Sequence, residues 1–290
     1  MQIFDALKKT TIPDVFTILK YATDFLTSHN IIEAKIDAEV LLCDVLNIPR
    51  KTLPTLRKEK ITQKQYDLYI KYLKKRIMGE PVSYILKNTE FMGLKFEVNP
   101  DVLIPRQETE ILVEYANELI KKHNFKKVLD LCTGSGCIAV SVACYNKIVS
   151  VTASDISPKA LKTALKNART NKVADKIKFI QSDIFDNIIE EKFDIIISNP
   201  PYVTAEEYKT LQKEVFFEPK NALVAEDNGL YFYKMIAQNA KRYLSDNGFL
   251  LLELNSNLSL QIAELFKDFS FVEIIKDYSQ FDRILVIKNG

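Results

Sequence analysis

The sequence predicts an α/β protein in which a doubly wound, mostly parallel sheet follows a small helical bundle. Three observations predict it. Residues 1 to about 80 carry apolar positions at helical spacing. From about 110 onward, runs of Val, Ile and Leu alternate with amphipathic stretches. Such runs suit strands buried on both faces, as in a parallel sheet. The last two runs have no helix between them, so an antiparallel hairpin is expected at one edge.

The elements follow in order. "IPDVFTILKYATDFLTSH" places Pro13 and Asp14 at a helix start. "EAKIDAEVLLCDVLNIP" repeats the spacing and stops before Pro49. "ITQKQYDLYIKYLKKRIMGEP" reads as a third helix ending near Gly79 and Pro81, with its Lys and Arg residues on a solvated face. These form a helical bundle over 1–80. "EFMGLKFEVNPDVLIPRQETE" sets Gly93 between short apolar stretches, as a hairpin does, and then meets an acidic cluster able to open a helix. It makes a hairpin linker over 81–108. The remaining domain, 109–290, holds seven strand candidates: "KKVLDL", "IVSVTASD", "KIKFIQSD", "FDIIISN", "GFLLLELN", "FVEIIKD" and "RILVIK". Helical stretches such as "SPKALKTALKNART" fall between the earlier ones. A turn of Tyr278 to Phe281 is all that separates the last two.

Composition excludes several classes. The 40 basic and 38 acidic residues leave a net charge of +2, so no strong field for nucleic acid is expected. No run of about 18 apolar residues occurs, so no membrane span is expected. The start, "MQIFDALKKTTIPDVF", lacks a signal-peptide core, which points to a cytoplasmic protein. Cys43, Cys132, Cys137 and Cys144 include no C-x-x-C pair, and only His29 and His123 could join them. No metal site is expected; the cysteines read as free thiols in a reducing compartment. Two histidines in polar surroundings leave little room for nucleophile–histidine catalysis.

"VLDLCTGSGCIAV" follows the first strand and leads into a helix. Gly134 and Gly136 let the backbone turn tightly and approach a ligand, and the helix start adds free N–H groups. Asp155 closes the second strand 21 residues after Gly134, where a carboxylate can accept hydrogen bonds from ribose hydroxyls. Asp183 closes the third strand and can accept from an adenine amine. Gly134-x-Gly136-x-x-Ala139 also fits a dinucleotide fingerprint, so the glycines do not separate NAD from S-adenosyl-L-methionine. Asp130 decides it: an acid before the loop suits the ammonium of a methionine moiety and repels a pyrophosphate. The plainer reading of Asp130 is a cap or loop hydrogen bond; that of Asp155 is a surface acid.

"IIISNPPY" ends the fourth strand, so Asn199 is expected at the sheet rim where ligands bind. The Asn199 side chain and the Pro200 backbone offer two carbonyl acceptors, held rigidly by the fixed φ of Pro200 and Pro201. Two convergent acceptors can hold both hydrogens of a planar –NH2, and Tyr202 can stack on the group that carries it. They would stabilise positive charge as it develops on that nitrogen. The plainer reading is a turn after a strand.

With these residues in view, the chain resembles the release factor glutamine methyltransferases, the PrmC/HemK family, over nearly its whole length. "DAEVLL", "GEPVSYIL", "FMGLKFEVNPDVLIPRQETE", "VLDLCTGSGCIAV", "SNPPYV" and "FEPKNALVAEDNGLYFY" carry the resemblance. Asn-Pro-Pro-Tyr alone is shared with nucleic-acid amine methyltransferases. The resemblance implies a Rossmann-like class I S-adenosylmethionine-dependent methyltransferase domain behind a helical bundle. It implies methyl transfer from S-adenosyl-L-methionine to the N5 of the glutamine in the Gly-Gly-Gln motif of class I peptide-chain release factors. Cys132, Thr133, Gly134, Ser135, Gly136, Asp155, Asp183, Ile184 and Asn199 would line the cofactor site. Asn199, Pro200, Pro201 and Tyr202 would hold the glutamine, with Arg106 in support. A monomer with no direct nucleic-acid specificity is expected. The chain departs from the family at Gln107, where proline is usual, at "LLLELNSNLS", which lacks a glycine, and at Gln280.

Overall fold

The computed structural model describes residues 13–189 and 191–290, which divide into two units. One contains the described residues up to Lys87 together with Lys213–Phe217; the other contains Asn88–Gln212 and Glu218–Gly290. The first twelve residues of the expected 1–80 bundle lie outside the described residues.

The helical unit holds α1 (Val15–Ser28), α2 (Ala34–Leu46), α3 (Gln63–Ile77) and the short α4 (Val82–Leu86). Asp14 caps α1 by accepting from the Thr17 amide, and Thr62 with Gln65 closes a capping box on α3. Ile18, Ala22 and Leu26 of α1 bury against Leu41 and Leu42 of α2 and Tyr69 and Leu73 of α3. The Tyr69 hydroxyl, fully buried, donates to the Ala38 carbonyl at 2.9 Å.

Arg76 corrects the expectation that the basic residues of α3 form one solvated face. It is 7% exposed. Its Nε donates to Asp37 Oδ2 at 2.6 Å and its Nη2 to Glu214 Oε1 at 2.8 Å. A buried guanidinium persists only with such partners, because desolvating an unpaired charge costs several kcal/mol.

In the second unit, β1 (Asn88–Phe91) and β2 (Leu94–Glu97) form the expected hairpin, and α5 (Gln107–His123) follows. The seven strand candidates become β3 (Lys127–Leu131), β4 (Ser150–Asp155), β5 (Ile177–Gln181), β6 (Phe193–Ser198), β7 (Leu244–Glu253), β8 (Phe271–Lys276) and β9 (Asp282–Lys288). They form one sheet in the order β5-β4-β3-β6-β7-β9-β8. The first five are parallel; β9 runs antiparallel to both β7 and β8. Helices α6 (Cys137–Tyr145), α7 (Pro158–Thr170) and α9 (Tyr231–Tyr243) fall between strands, with a short α8 (Ala205–Lys209) and α10 (Ser259–Glu264).

Both sheet faces are covered. Ile195 and Ile197 of β6 face a layer that includes Leu112 and Val113 of α5 and Val140 of α6. Ile196 between them faces Tyr233, Ile236 and Ala240 of α9. Burial on both faces explains why Ile195, Ile196 and Ile197 are all apolar rather than alternating with polar residues.

The register sets the rim. Leu131 of β3 pairs with Ser154 of β4 and Ser198 of β6, and Ser198 pairs with Leu252 of β7. One residue further on, Cys132, Asp155, Asn199 and Glu253 leave neighbouring strands in a single row.

Asp130 serves the fold. It is fully buried, and its Oδ2 accepts from Thr133 Oγ1 at 2.5 Å and the Ala139 amide at 3.1 Å. It therefore ties the β3 end to the first turn of α6 through Oδ2, the loop hydrogen bond of the plainer reading, while Oδ1 has no hydrogen-bond partner. Burial pushes its carboxyl up to about 7, against the lowering effect of those two bonds. Gly136, at φ 80, starts α6; a Cβ there would come 2.9 Å from Ala164 Cβ of α7.

Three stability predictions concern this loop and the strand before it. Gly136→Ala meets both a left-handed φ and the Ala164 backbone, so it should cost about 2–4 kcal/mol in denaturant unfolding. Gly134→Ala, also at positive φ but with open space around its Cβ, should cost only about 1 kcal/mol. Asp130 keeps its proton to about pH 7 when folded and loses it near pH 4 when unfolded. The folded state binds more protons in that window, so the stability Asp130 contributes falls as pH rises from 4 to 7. Thermal midpoints of wild type minus Asp130→Asn should decline over that range; a constant difference would contradict a proton-holding carboxyl.

Candidate active site

A cavity of about 220 Å³ opens at the carboxyl ends of the parallel strands. Cys132 and Gly134 line it from the loop after β3, and Asp155 and Ile156 from β4 and its end. Asp183 and Ile184 follow β5; Asn199 and Pro201 follow β6. Val102 and Leu103 from the segment after β2, and Tyr231 and Phe232 of α9, complete its apolar walls. The helical unit carries a wider groove of about 840 Å³ that contains none of these strand-end residues.

Asp155 organises the floor. Its Oδ2 accepts from the Gly134 amide at 2.8 Å and its Oδ1 from the Ser157 amide at 2.9 Å. Each oxygen keeps a further lone pair for a ligand hydroxyl. Burial raises its pKa, opposed by these two amides. Asp155 is thus built into the rim rather than being a surface acid. The Cys132 thiol is held protonated by burial, which pushes it far up, so it is no nucleophile.

The remaining loop residues shape this wall from behind. The Thr133 amide donates to the Ser154 carbonyl at 2.8 Å. The Ser135 carbonyl accepts from Asn167 Nδ2 at 2.8 Å. Thr133, Ser135 and Gly136 are not among the cavity-lining residues. Of the predicted loop, Cys132 and Gly134 line the cavity.

The wall has a charge. Asp101, Asp155 and Asp183 line the cavity, and no Lys, Arg or His is among the lining residues. A pyrophosphate would meet only acids there, whereas a cationic nucleoside is favoured.

Asn199 reaches the cavity from the end of β6, and its Nδ2 donates to Thr109 Oγ1 at 3.2 Å. Pro200 is buried beside it and does not line the cavity; Pro201 does. Tyr202 also stays off the lining. Its hydroxyl donates to Glu253 Oε1 at 3.1 Å, and its ring packs with the α9 layer. Burial and the nearby Glu253 carboxylate push its phenol far up, so it stays neutral.

Arg106 is likewise engaged. Its Nη2 pairs with Glu218 Oε1 at 2.5 Å, while Glu218 Oε2 accepts from the Ile104 amide at 3.0 Å. The motifs "IPRQETE" and "FEPKNAL" are joined by this buried carboxylate. Arg106 is not among the residues lining the cavity, and its ion pair ties together the loops around it.

Thr109 and Glu253 are the residues that sequence reasoning missed. Thr109 Oγ1 donates to Glu253 Oε2 at 2.6 Å, and both side chains are buried. The one available signal for Glu253 was its place as an acid at the end of a strand beside β6. Thr109 carried no signal, since it stands between two glutamates in an exposed-looking helix start.

Comparisons with known proteins identify the family. Residues 107–285 match the family described as Methyltransferase small domain, and residues 17–86 the PrmC N-terminal domain. The chain is 37% identical over 295 aligned positions to a release factor glutamine methyltransferase of Clostridium acetobutylicum, covering all of this chain and 99% of that one. It is 36% identical to one of Fusobacterium nucleatum, covering 99% of this chain and 83% of that one. A bifunctional methyltransferase of Rickettsia prowazekii is 34% identical over 93% of this chain, which spans 56% of that longer protein. Among solved structures, the hMettl16 catalytic domain bound to an RNA hairpin superposes with a TM-score of 0.55 at 17% identity, over 78% of this chain and 82% of that one. That likeness is one of fold. Similarity of this extent over the whole length, on a methyltransferase fold with an acid-walled rim, makes the chain a member of the release factor glutamine methyltransferase family.

Proposed function

We propose that this protein transfers a methyl group from S-adenosyl-L-methionine to the side-chain amide nitrogen of the glutamine in the Gly-Gly-Gln motif of class I peptide-chain release factors, tuning translation termination. The observation that carries the reading is Asn199, anchored through its Nδ2 at the mouth of an acid-walled cavity. The names of the near-full-length relatives supply the release factor.

Asp155 would accept from the ribose hydroxyls and Asp183 from the adenine amine, with Cys132, Gly134 and Ile184 against the ligand. When bound, the cofactor supplies an electrophilic methyl group on a positively charged sulfur. Asn199 Oδ1 and the Pro200 carbonyl would accept the two N–H groups of the glutamine amide, with Pro201 as a wall and Tyr202 fixing the turn. An amide nitrogen is a poor nucleophile because its lone pair is delocalised. Two fixed acceptors facing it stabilise the positive charge that develops as the methyl arrives. Alignment does most of the remaining work, and the surplus proton leaves to water. Arg106 and Glu218 would support the loops that receive the substrate. The enzyme would act as a monomer in the cytoplasm, with the release factor itself, and not RNA or DNA, as the recognised macromolecule.

Mass spectrometry of a co-expressed release factor should find a one-methyl increase on the Gly-Gly-Gln peptide. An unmodified glutamine, or label appearing on RNA instead, would sink the reading. Asn199→Ala should lower turnover by about 10²-fold while leaving calorimetric cofactor affinity nearly unchanged. Asp155→Ala should do the opposite first, weakening cofactor binding by about 10-fold or more through lost charge-assisted hydrogen bonds.

A further inference from the structure

The amide of Asn199 can present either end to the cavity, and only one end is of use to an –NH2 substrate. We infer that Glu253 and Thr109 are positioning residues whose hydrogen-bond chain fixes the Asn199 carbonyl oxygen toward the cavity. This rests on the reading of the site given above and deepens it.

A carboxylate can only accept hydrogen bonds. Glu253 has both oxygens engaged: Oε2 by the Thr109 hydroxyl at 2.6 Å and Oε1 by the Tyr202 hydroxyl at 3.1 Å. A threonine hydroxyl has one proton, and that of Thr109 goes to Glu253. What remains on Thr109 is lone pairs, so its other partner must donate. That partner is Asn199, whose Nδ2 lies 3.2 Å away. The direction therefore runs from Asn199 to Thr109 to Glu253, and Oδ1 is the end left for the substrate.

Burial keeps the chain from being rewired by water. Thr109 is 2% exposed and Glu253 1%. Glu253 is further fixed through its backbone, whose carbonyl accepts from Tyr233 Oη at 2.7 Å. Burial raises the Glu253 carboxyl, opposed by the Thr109 and Tyr202 hydroxyls and by the nearby charge of Arg283, itself held by Asp277 at 3.0 Å. A glutamine at 253 could donate as well as accept. Thr109 could then turn its proton to Asn199, and the amide could flip to offer –NH2 to –NH2.

The test uses the full-length enzyme and three variants: Glu253→Gln, Thr109→Val and Thr109→Ser. The first readout is kcat and KM on the release factor. Glu253→Gln and Thr109→Val should lose about 10-fold or more in kcat, with KM and calorimetric cofactor affinity little changed, as for a misaligned catalytic dipole. Thr109→Ser keeps the hydroxyl and should restore kcat. The second readout is the side-chain amide of Asn199 by nitrogen-15 NMR without any ligand. Its protons should be protected from exchange in wild type and Thr109→Ser, and lose that protection in Thr109→Val. Valine matches threonine in shape, so the Thr109 pair decides the matter even where Glu253→Gln does not fold. The inference is overturned by a Thr109→Val enzyme with wild-type kcat and an unchanged Asn199 signal, or by Thr109→Ser failing as badly as valine. If the wild-type enzyme leaves the release factor unmethylated, the functional reading fails, and the NMR arm still decides the orientation of Asn199.

Discussion

The parallel register of the central strands is the constraint on which the site depends. Hydrogen bonding between β4, β3, β6 and β7 aligns Ser154, Leu131, Ser198 and Leu252, and so brings Asp155, Cys132, Asn199 and Glu253 out together. A slip of one residue in β6 would turn Ile195 and Ile197 into the space of Ile196 and carry Asn199 away from its anchor. The apolar contacts on both faces resist that slip, because every β6 side chain between Ile195 and Ile197 is fully buried. Catalytic geometry is here a by-product of core packing.

Two buried charges organise the two units by different means. In the helical unit Arg76 is balanced by two carboxylates, one of them from the segment Lys213–Phe217 that the chain returns to this unit. In the second unit Glu253 is balanced mainly by hydroxyls, with Arg283 near it. The first arrangement fixes where a loop is held. The second sets a direction along a hydrogen-bond chain, because neutral hydroxyls can reverse and a carboxylate cannot.

Much of the fold was legible because strong local signals agreed with the tertiary structure. Each seven-strand candidate lies in the sheet, and Asp14 caps the helix that Pro13 announced. Other features depended on distant partners. Pro81 looked like a stop, yet it precedes α4, whose Tyr84 and Ile85 are buried. Arg76 sat in a basic run, and its partners lie 39 and 138 residues away. Thr109 and Glu253 are 144 residues apart, so neither could be tied to Asn199 without the topology. Asp130 stood next to the glycine loop in sequence, and the tie of its Oδ2 to the helix start behind it showed only in the structure.

The acid-lined cavity distinguishes its ligand before and after reaction. Methyl transfer turns a cationic sulfur into a neutral thioether, so the spent cofactor carries one positive charge fewer past Asp101, Asp155 and Asp183. At partly wet carboxylates the lost attraction amounts to about 1 kcal/mol or less for each. An acidic wall of this kind would hold the charged donor somewhat better than its neutral product, by an amount that falls with distance from the sulfur.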